Sequence, residues 1–449
     1  MFRYIIIVLI FVPALLPAET EKYKKYEEVA DILYNAAHKD SSSWDKLAYL
    51  CDTFGPRLTG SENLKNALDW IERTMKAEDL ENVKRQDVEA DYWVRNNEFL
   101  KILEPHRRPL RLLGLGGSVG TPVEGILEEA VVFEDFEDLR KRADEAEGKI
   151  VIFNTPFKSY GHNVKYRFSG ADSASKYGAI AALIRSVSPF PGQLPHTGVM
   201  FYSGEYDKIP CAAITYETAE MFGRMHERGQ TIKLELRMEA ENLPKMTTHN
   251  LMGEIKGEKY PEQIIAIGGH IDSWDAGTGA HDDGGGCVAT WEAVNLLKET
   301  GLIPASTVRV VMWANEENGA RGGKQYAKDN KHEDHILMLE SDAGIFVPKS
   351  IGYTGKEEFY KKLKEMEFLY KRFNPEFEFR DRGGGVDIRP MMKTGVPGMG
   401  VWGDSGGNYF KYHHAENDTV DKVDPDDLND NIAAIALTIY IYADIHNGL

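Results

Sequence analysis

Short apolar runs followed by polar or glycine-rich segments recur in the C-terminal half of the chain. Three of them, at residues 263–268, 307–313 and 335–339, have the length of a buried strand. Helical patterns lie between these runs, for example at residues 287–300. Strands that alternate with helices are typical of an α/β fold, whose sheets bind ligands beyond the carboxyl ends of their strands. We therefore predict a central sheet flanked by helices.

The pattern differs in the first 246 residues. It is helical from residue 21 to about 84, apart from a Gly/Pro turn at 53–61. Short strand candidates then alternate with polar turns, at residues 126–133, 149–154, 179–185 and 210–215. We interpret residues 120–246 as a second domain inserted between two parts of the first, residues 19–119 and 247–449. A further helical pattern at residues 432–445 predicts a C-terminal core helix.

The N-terminus has the pattern of a signal peptide. Arg3 precedes an apolar run at residues 5–12, and small and apolar residues at 14–18 lead to Glu19. The run is shorter than the ~20 residues that cross a bilayer, and no other segment is long and apolar enough. We expect residues 1–18 to be removed, giving a secreted or lumenal protein without a membrane span.

Charge and cysteine content exclude several classes of function. The chain has 53 basic and 71 acidic residues, a net charge of −18, which disfavours nucleic acid and anionic lipid as partners. Cys51, Cys211 and Cys287 are too few for a disulfide scaffold. We expect three buried thiols, although one disulfide pair remains open.

One motif looks like a metal site without being one. Residues 332–335 read His-Glu-Asp-His, one residue short of the H-E-x-x-H zinc helix. We expect a solvated turn there.

Metal-binding residue types follow the three apolar runs directly. His270 and Asp272 follow the first run, Glu316 and Glu317 the second, and Asp342 the third. Two later segments add further candidates: Asp282, Asp283, His413 and His414. Several carboxylates at one sheet edge repel each other unless a cation is present. Imidazoles and carboxylates without thiolates suit zinc in hydrolysis, and the number of candidates suits two ions that share a carboxylate.

Five segments carry a resemblance to a known family. They lie at residues 269–274, 280–286, 313–317, 340–344 and 413–419. Their sequences resemble the co-catalytic zinc exopeptidases of the aminopeptidase and glutamate carboxypeptidase type, and the likeness extends over nearly the whole chain after residue 18. The resemblance implies the zinc-exopeptidase fold, with a mixed central sheet and a protease-associated-like insert at residues 120–246 that restricts substrate length.

The resemblance also implies a role for each candidate. Five residues would hold two zinc ions: His270 and Asp342 on one, Glu317 and His414 on the other, and Asp282 on both. Asp272 would accept a hydrogen bond from the outer nitrogen of His270, and Glu316 would be the general base. His413 would lie beside the site, and the peptide bond between Asp282 and Asp283 would be cis.

The implied substrates are short peptides with free termini, dipeptides in particular. Asp387 is a candidate to pair with a substrate amine, and Arg380, Arg382 or Arg389 to meet a carboxylate. The family also suggests a homodimer. Two alternatives stay open: a metal-free receptor or binding module on the same fold, and an aminopeptidase. The complete set of five ligands and Glu316 argues against the binding module.

Overall fold

Two eight-stranded sheets organise residues 23–39 and 41–448, which are the residues that the computed structural model describes. The predicted signal peptide lies outside these described residues. The strands are β1 (Glu81–Val94), β2 (Glu98–Glu104), β3 (Arg108–Leu110), β4 (Leu112–Gly114), β5 (Ile126–Phe133), β6 (Ile150–Phe153), β7 (Ala181–Arg185), β8 (Cys211–Ile214), β9 (Lys233–Met238), β10 (Glu241–Ile255), β11 (Tyr260–His270), β12 (Ser306–Trp313), β13 (Asp334–Glu340), β14 (Pro348–Thr354), β15 (Glu378–Arg380) and β16 (Gly398–Gly403).

Helices connect the strands and cover the sheets. The α-helices are α1 (Lys24–Ala37), α2 (Ser42–Phe54), α3 (Glu62–Ala77), α4 (Phe136–Lys141), α5 (Tyr160–Ser175), α6 (Tyr216–Glu227), α7 (Gly285–Glu299), α8 (Arg321–Asn330), α9 (Glu357–Glu365), α10 (Arg389–Met392), α11 (Tyr409–Tyr412) and α12 (Pro425–His446).

The first sheet has a parallel centre with an antiparallel pairing on either side of it. Its order is β1-β10-β12-β11-β13-β16-β14-β15. Strands β12, β11, β13 and β16 run parallel, whereas β10 and β14 are antiparallel to their central neighbours. Every residue of β12 is buried, as expected for a strand with helices on both faces. The predicted mixed sheet flanked by helices is confirmed.

The apolar runs form the strands that the sequence predicts. Residues 263–268 lie within β11, 307–313 within β12 and 335–339 within β13. Along β11, Ile265 and Ile267 face one hydrophobic core, while Ile264 and Ala266 face the core on the opposite side of the sheet. Burial on both faces explains why these runs are continuously apolar instead of alternating.

The predicted N-terminal helical region is correct only in part. Helices α1, α2 and α3 occupy most of it, but α3 ends at Ala77 and β1 begins at Glu81. Strand β1 is an edge strand whose side chains are mostly exposed or half-buried. Charged residues are tolerated on such an edge, so its sequence resembles a solvated helix.

Strands β2 to β9 form the second sheet, in the order β3-β2-β9-β5-β6-β7-β8-β4. It includes the four strand candidates predicted between residues 126 and 215, as β5 to β8. The chain enters this sheet after β1 and leaves it before β10, and these two strands pair with each other in the first sheet. The first strands of the second sheet precede residue 120, and the domain limits at 120 and 246 stay a prediction.

The C-terminal segment forms the predicted core helix, α12. Asp424 caps it by accepting a hydrogen bond from the amide of Asp426, and Pro425 occupies the first turn. Most of its residues from Leu428 onward are buried in the main core. Among the described residues, no helix is long and apolar enough to cross a membrane. Cys51, Cys211 and Cys287 are buried free thiols, as expected.

The expected solvated turn at residues 332–335 is wrong for His335, which lies buried in β13. Its Nε2 atom is 2.8 Å from the hydroxyl of Tyr326, and that hydroxyl accepts a hydrogen bond from Arg309 at 3.1 Å. Arg309 also pairs with Glu254 and Glu333 at 2.5 Å each. Burial, together with the nearby Arg309 charge, lowers the pKa of His335 to about 4.

We predict that His335 makes the fold sensitive to acid. The pKa of His335 in the folded protein lies below the ordinary 6.5. The neutral ring therefore stabilises the folded state fully above pH 6.5, and this stabilisation is lost as the pH falls towards 4. A shift of this size corresponds to about 3 kcal/mol. Urea unfolding measures how much the free energy of unfolding decreases between pH 6.5 and pH 4. This decrease should be smaller in His335→Gln than in wild type, by about 3 kcal/mol. The exposed His332→Gln is the control, and identical pH slopes for wild type and His335→Gln would contradict the prediction.

Candidate metal centre

The predicted site residues meet at one edge of the first sheet. His270 ends β11, Glu316 and Glu317 follow β12, and Asp342 follows β13. Because these three strands are parallel, their carboxyl ends lie side by side. The sheet therefore brings together residues that are far apart in the sequence.

Asp282 lies between two groups of candidate ligands. Its Oδ1 atom is 3.2 Å from Nε2 of His270, which is itself 3.5 Å from Oδ1 of Asp342. Its Oδ2 atom is 3.4 Å from Nε2 of His414, which is 3.1 Å from Oε2 of Glu317. The two carboxylate oxygens of Asp282 thus face two separate pairs, each with one histidine and one carboxylate.

The electrostatics of this cluster fit a bound cation. Burial raises the pKa of both Glu317 and Asp342, and the charge of Asp282 adds to each shift. Burial opposes a charge on His270, but its contacts with Asp282 and Asp342 raise its pKa well above 6.5. Among the described residues, none donates a hydrogen bond to the buried Oδ2 of Asp282. Two imidazoles and three carboxylates with excess negative charge suit zinc.

His413 and His414 are stacked, with ring centroids 3.6 Å apart. Both rings lie close enough to Asp282 for either to contribute to a metal site. His414 is the nearer, because the Nε2 atom of His413 is 3.9 Å from Oδ2 of Asp282. The backbone oxygen of His413 also contacts Nδ1 of His196 at 2.7 Å. The geometry favours His414, the histidine that the resemblance implies.

Buried carboxylates hold the segment that carries Asp282. Asp418 accepts hydrogen bonds from the amides of His281 at 2.8 Å and Asp282 at 3.1 Å. Asp283 accepts from the amides of His270 at 3.0 Å and Gly286 at 3.2 Å. The two bonds to Asp283 fix the segment against the end of β11 and the start of α7, and the two to Asp418 fix it against the loop that follows α11. The expected cis peptide bond between Asp282 and Asp283 is confirmed.

Asp272 contacts His270 through its backbone. The Nδ1 atom of His270 is 2.9 Å from the backbone oxygen of Asp272, whereas the Asp272 carboxylate is 3.9 Å away. The carboxylate instead accepts hydrogen bonds from the amide of Glu316 at 3.1 Å and the hydroxyl of Thr59 at 3.3 Å. Asp272 therefore connects the orientation of His270 to the position of the Glu316 segment.

Glu316 borders the cleft beside the cluster. Within the described part of the chain, no residue donates a hydrogen bond to its carboxylate. Burial raises the pKa of Glu316 to about 8, and the nearby charge of Asp342 contributes to the increase. A raised pKa and a carboxylate that accepts no hydrogen bond from the protein are features of a group that can exchange protons.

Residues from the region of the second sheet complete the cleft, and the sequence pattern indicates no role for them. The cleft has a volume of about 380 Å³, and Tyr160, Arg167 and Phe168 of α5 lie along it. Nη1 of Arg167 is 3.2 Å from Nδ1 of His414, and the Thr197 backbone oxygen is also 3.2 Å from that atom. No residue pattern indicates Arg167.

The weaker substrate candidates separate in the structure. Arg382 and Arg389 border a second cavity of about 490 Å³, which shares Asp342 with the cleft. Arg380 instead pairs with Glu378 at 2.8 Å, outside both cavities. The expectation that Asp387 pairs with a substrate amine is wrong, because Asp387 is 1% exposed. Its Oδ1 accepts a hydrogen bond from the amide of Gly323 at 3.2 Å.

Comparison with known proteins identifies the class of this enzyme. Residues 250–439 match peptidase family M28. The chain belongs to this family and is a zinc metallopeptidase that acts on peptides.

Individual relatives cover nearly the whole chain. Carboxypeptidase Q of Xenopus laevis is 43% identical over 429 residues, which are 94% of this chain and 91% of that protein. The crystal structure of a peptidase M28 precursor from Shewanella amazonensis has a TM-score of 0.88 at 32% identity, covering 93% of this chain and 97% of that one. A zinc aminopeptidase from Bacillus subtilis, at 18% identity and a TM-score of 0.68, covers 89% of this chain and 94% of its own, and it shares the fold.

We predict that Asp418→Ala weakens zinc binding by about 10–100-fold, as is typical when a residue that orients a metal ligand is removed. Asp418 fixes the amides of His281 and Asp282, so its loss should misplace the Asp282 carboxylate. Competition with a chelating dye measures the affinity. Asp421→Ala, an exposed change on the same segment, is the control. Equal zinc affinities in Asp418→Ala and wild type would contradict a supporting role for Asp418.

Proposed function

We propose that this protein is a secreted or lumenal two-zinc exopeptidase that hydrolyses short peptides, with unblocked dipeptides as preferred substrates. The observation that supports this most is the position of Asp282, whose two oxygens lie 3.2 and 3.4 Å from the Nε2 atoms of two different histidines. A single zinc would need three protein ligands, whereas five converge here. Similarity to carboxypeptidase Q supports an exopeptidase.

In this proposal His270 and Asp342 would hold one zinc and Glu317 and His414 the other, with Asp282 contributing a carboxylate oxygen to each. When bound, the zinc ions supply positive charge that lowers the pKa of a water molecule and polarises the peptide carbonyl. The chain keeps the two histidines oriented through their outer nitrogens. His270 is held by the backbone oxygen of Asp272 and His414 by that of Thr197.

Glu316 is the proposed general base. Its carboxylate takes a proton from the attacking water and delivers it to the amine of the leaving residue. This task needs a carboxylate that is near the metals and free of other hydrogen bonds. The Asp272 carboxylate positions Glu316 through its amide, at 3.1 Å.

The size and borders of the cleft support short substrates. A cavity of about 380 Å³ lies at the small end of the range of ligand pockets, about 300–1,000 Å³. Tyr160 and Phe168 of α5 and Phe410 of α11 line the cleft with aromatic rings. In our proposal residues 120–246 form a domain that limits substrate length by covering the cleft. Likeness to the family alone supports a homodimer.

An aminopeptidase is the second candidate. The Bacillus subtilis neighbour is a zinc aminopeptidase, but at 18% identity it carries only the fold to this chain. The metal-free binding module is disfavoured because all five proposed ligands converge.

We predict that Glu316→Gln lowers turnover of a dipeptide by at least ~100-fold, the usual minimum for removing a general base. Glutamine cannot accept the proton, so turnover should fall. It keeps the shape of the side chain, and Glu316 is not a proposed zinc ligand, so the zinc content should not change. The assay measures kcat with zinc present, alongside metal analysis of the same sample. Glu358→Gln, at an exposed position, is the matched control. Near-native turnover in Glu316→Gln would exclude the proposed base.

We also predict two zinc ions per chain by elemental analysis of the purified protein. Asp282→Ala should reduce the content of both ions, because this residue faces both candidate ligand pairs. His414→Ala should lose one ion, while His413→Ala should keep two and serves as the control for a change in the same stacked pair. One ion in wild type, or a greater loss in His413→Ala than in His414→Ala, would contradict the proposed ligand set.

A further inference from the structure

The cavity of about 490 Å³ beside the cleft has no assigned role. Asp342 and Val386 border both spaces, so the cavity opens next to the proposed metal centre. Its other borders are the glycine-rich segment 382–386, Arg389 and the end of β16 at Trp402. A peptide whose scissile bond lies at the metals can therefore extend one of its ends into this cavity.

Both acidic residues of the cavity already have partners. Glu340 is buried, and its carboxylate accepts hydrogen bonds from the amides of Val386 at 3.0 Å, Asp387 at 2.9 Å and Ile388 at 3.0 Å. Asp342 contacts His270 in the metal cluster. A substrate amine therefore finds no available carboxylate in this cavity.

Unlike the two acidic residues, the two arginines of the cavity have no partners among the described residues. Arg382 and Arg389 are exposed, and across the described residues neither guanidinium has a hydrogen bond or a carboxylate partner. The neighbouring Arg380 does have one, in Glu378. Both arginines border the same cavity, so they give it positive charge in a chain whose net charge is −18. Such a cavity suits an anion.

The backbone between the two arginines is fixed by close packing. A Cβ atom on Gly385 would lie 2.2 Å from the carboxyl carbon of Glu340, and one on Gly383 would lie 1.9 Å from the backbone oxygen of Gly352. Only glycine permits these approaches. This packing and the three hydrogen bonds from backbone amides to Glu340 fix the segment between the two arginines. Arg382 and Arg389, at its two ends, therefore stay beside the same cavity.

We propose that Arg382 and Arg389 bind a carboxylate on the leaving half of the peptide substrate. This inference rests on the proposed function, because in a dipeptide the C-terminal carboxylate belongs to the leaving residue. Arginine binds carboxylates through two parallel hydrogen bonds, so the pair gives both charge and direction. The carboxylate is either the C-terminus of the substrate or an acidic side chain of the leaving residue.

The test compares four substrates with the zinc-loaded enzyme. Alanyl-leucine and its C-terminal amide differ in the terminal carboxylate, and alanyl-glutamate amide and alanyl-glutamine amide differ in the side-chain carboxylate. The variants are Arg382→Gln, Arg389→Gln and the double change. Arg380→Gln is the matched control, because it removes a nearby arginine that has its own partner.

We expect each single change to lower kcat/KM for alanyl-leucine by about 10-fold or more, mainly through KM, as for loss of a charge-assisted hydrogen bond. Its amide should change by less than about twofold, and Arg380→Gln should match wild type on all four substrates. A loss confined to alanyl-glutamate amide supports the pocket and assigns it to the side-chain carboxylate. Equal losses on acids and amides, or no loss, would overturn the proposal.

A binding experiment separates the pocket from the catalytic proposal. If wild type hydrolyses none of the four peptides, the proposed function fails. Calorimetric titration of alanyl-leucine and its amide into the zinc-loaded protein still tests the pocket. We expect wild type to prefer the free acid and the double variant to lose that preference while its unfolding temperature stays unchanged. Equal binding of acid and amide by wild type would reject the assignment.

Discussion

Repulsion between buried carboxylates at one edge of the first sheet is the constraint on which the rest of the structure depends. Asp282 lies beside both His270 and His414, with Asp342 beside the first and Glu317 beside the second. Burial removes the water that would otherwise screen these charges. Such a cluster is stable when cations neutralise it. The parallel strands β11, β12 and β13 bring His270, Glu317 and Asp342 to the same edge, and Asp282 reaches them from the segment just before α7.

Supporting contacts turn this cluster into a defined geometry. Many of these contacts are hydrogen bonds from backbone amides to carboxylates. Asp418, Asp283 and Asp272 each hold a neighbouring segment by accepting hydrogen bonds from its N–H groups. Glu340 does the same for the segment beside the second cavity. Acidic residues thus have two distinct uses at this sheet edge: some face the metal positions, and others organise the backbone around them.

The sequence predicts the parts of this arrangement that depend on local pattern. Buried strands such as β12 are continuous apolar runs, and the residues just after them could be identified as neighbours from parallel-sheet geometry alone. The sequence predicts helix for the start of β1 because an edge strand tolerates many charged residues. The solvated turn that it predicts around His335 is wrong because Tyr326 and the Arg309 network meet His335 only in three dimensions. The sequence does not indicate Arg167 for the same reason, since this residue reaches His414 from helix α5.

The pairing of β1 with β10 has a consequence for how this architecture can vary. Val94 and Glu241 are cross-strand partners, so the chain departs for the second sheet and returns from it at adjacent points of one antiparallel ribbon. In topological terms the whole intervening stretch is a long connection between the two strands of a β-hairpin. Its length and content can change without altering the register of the sheet that carries the acidic cluster, whereas the aromatic side of the cleft and the backbone support of His414 would change with it. Part of the cleft lining is therefore encoded in a stretch of the chain separate from the one that carries the acidic cluster.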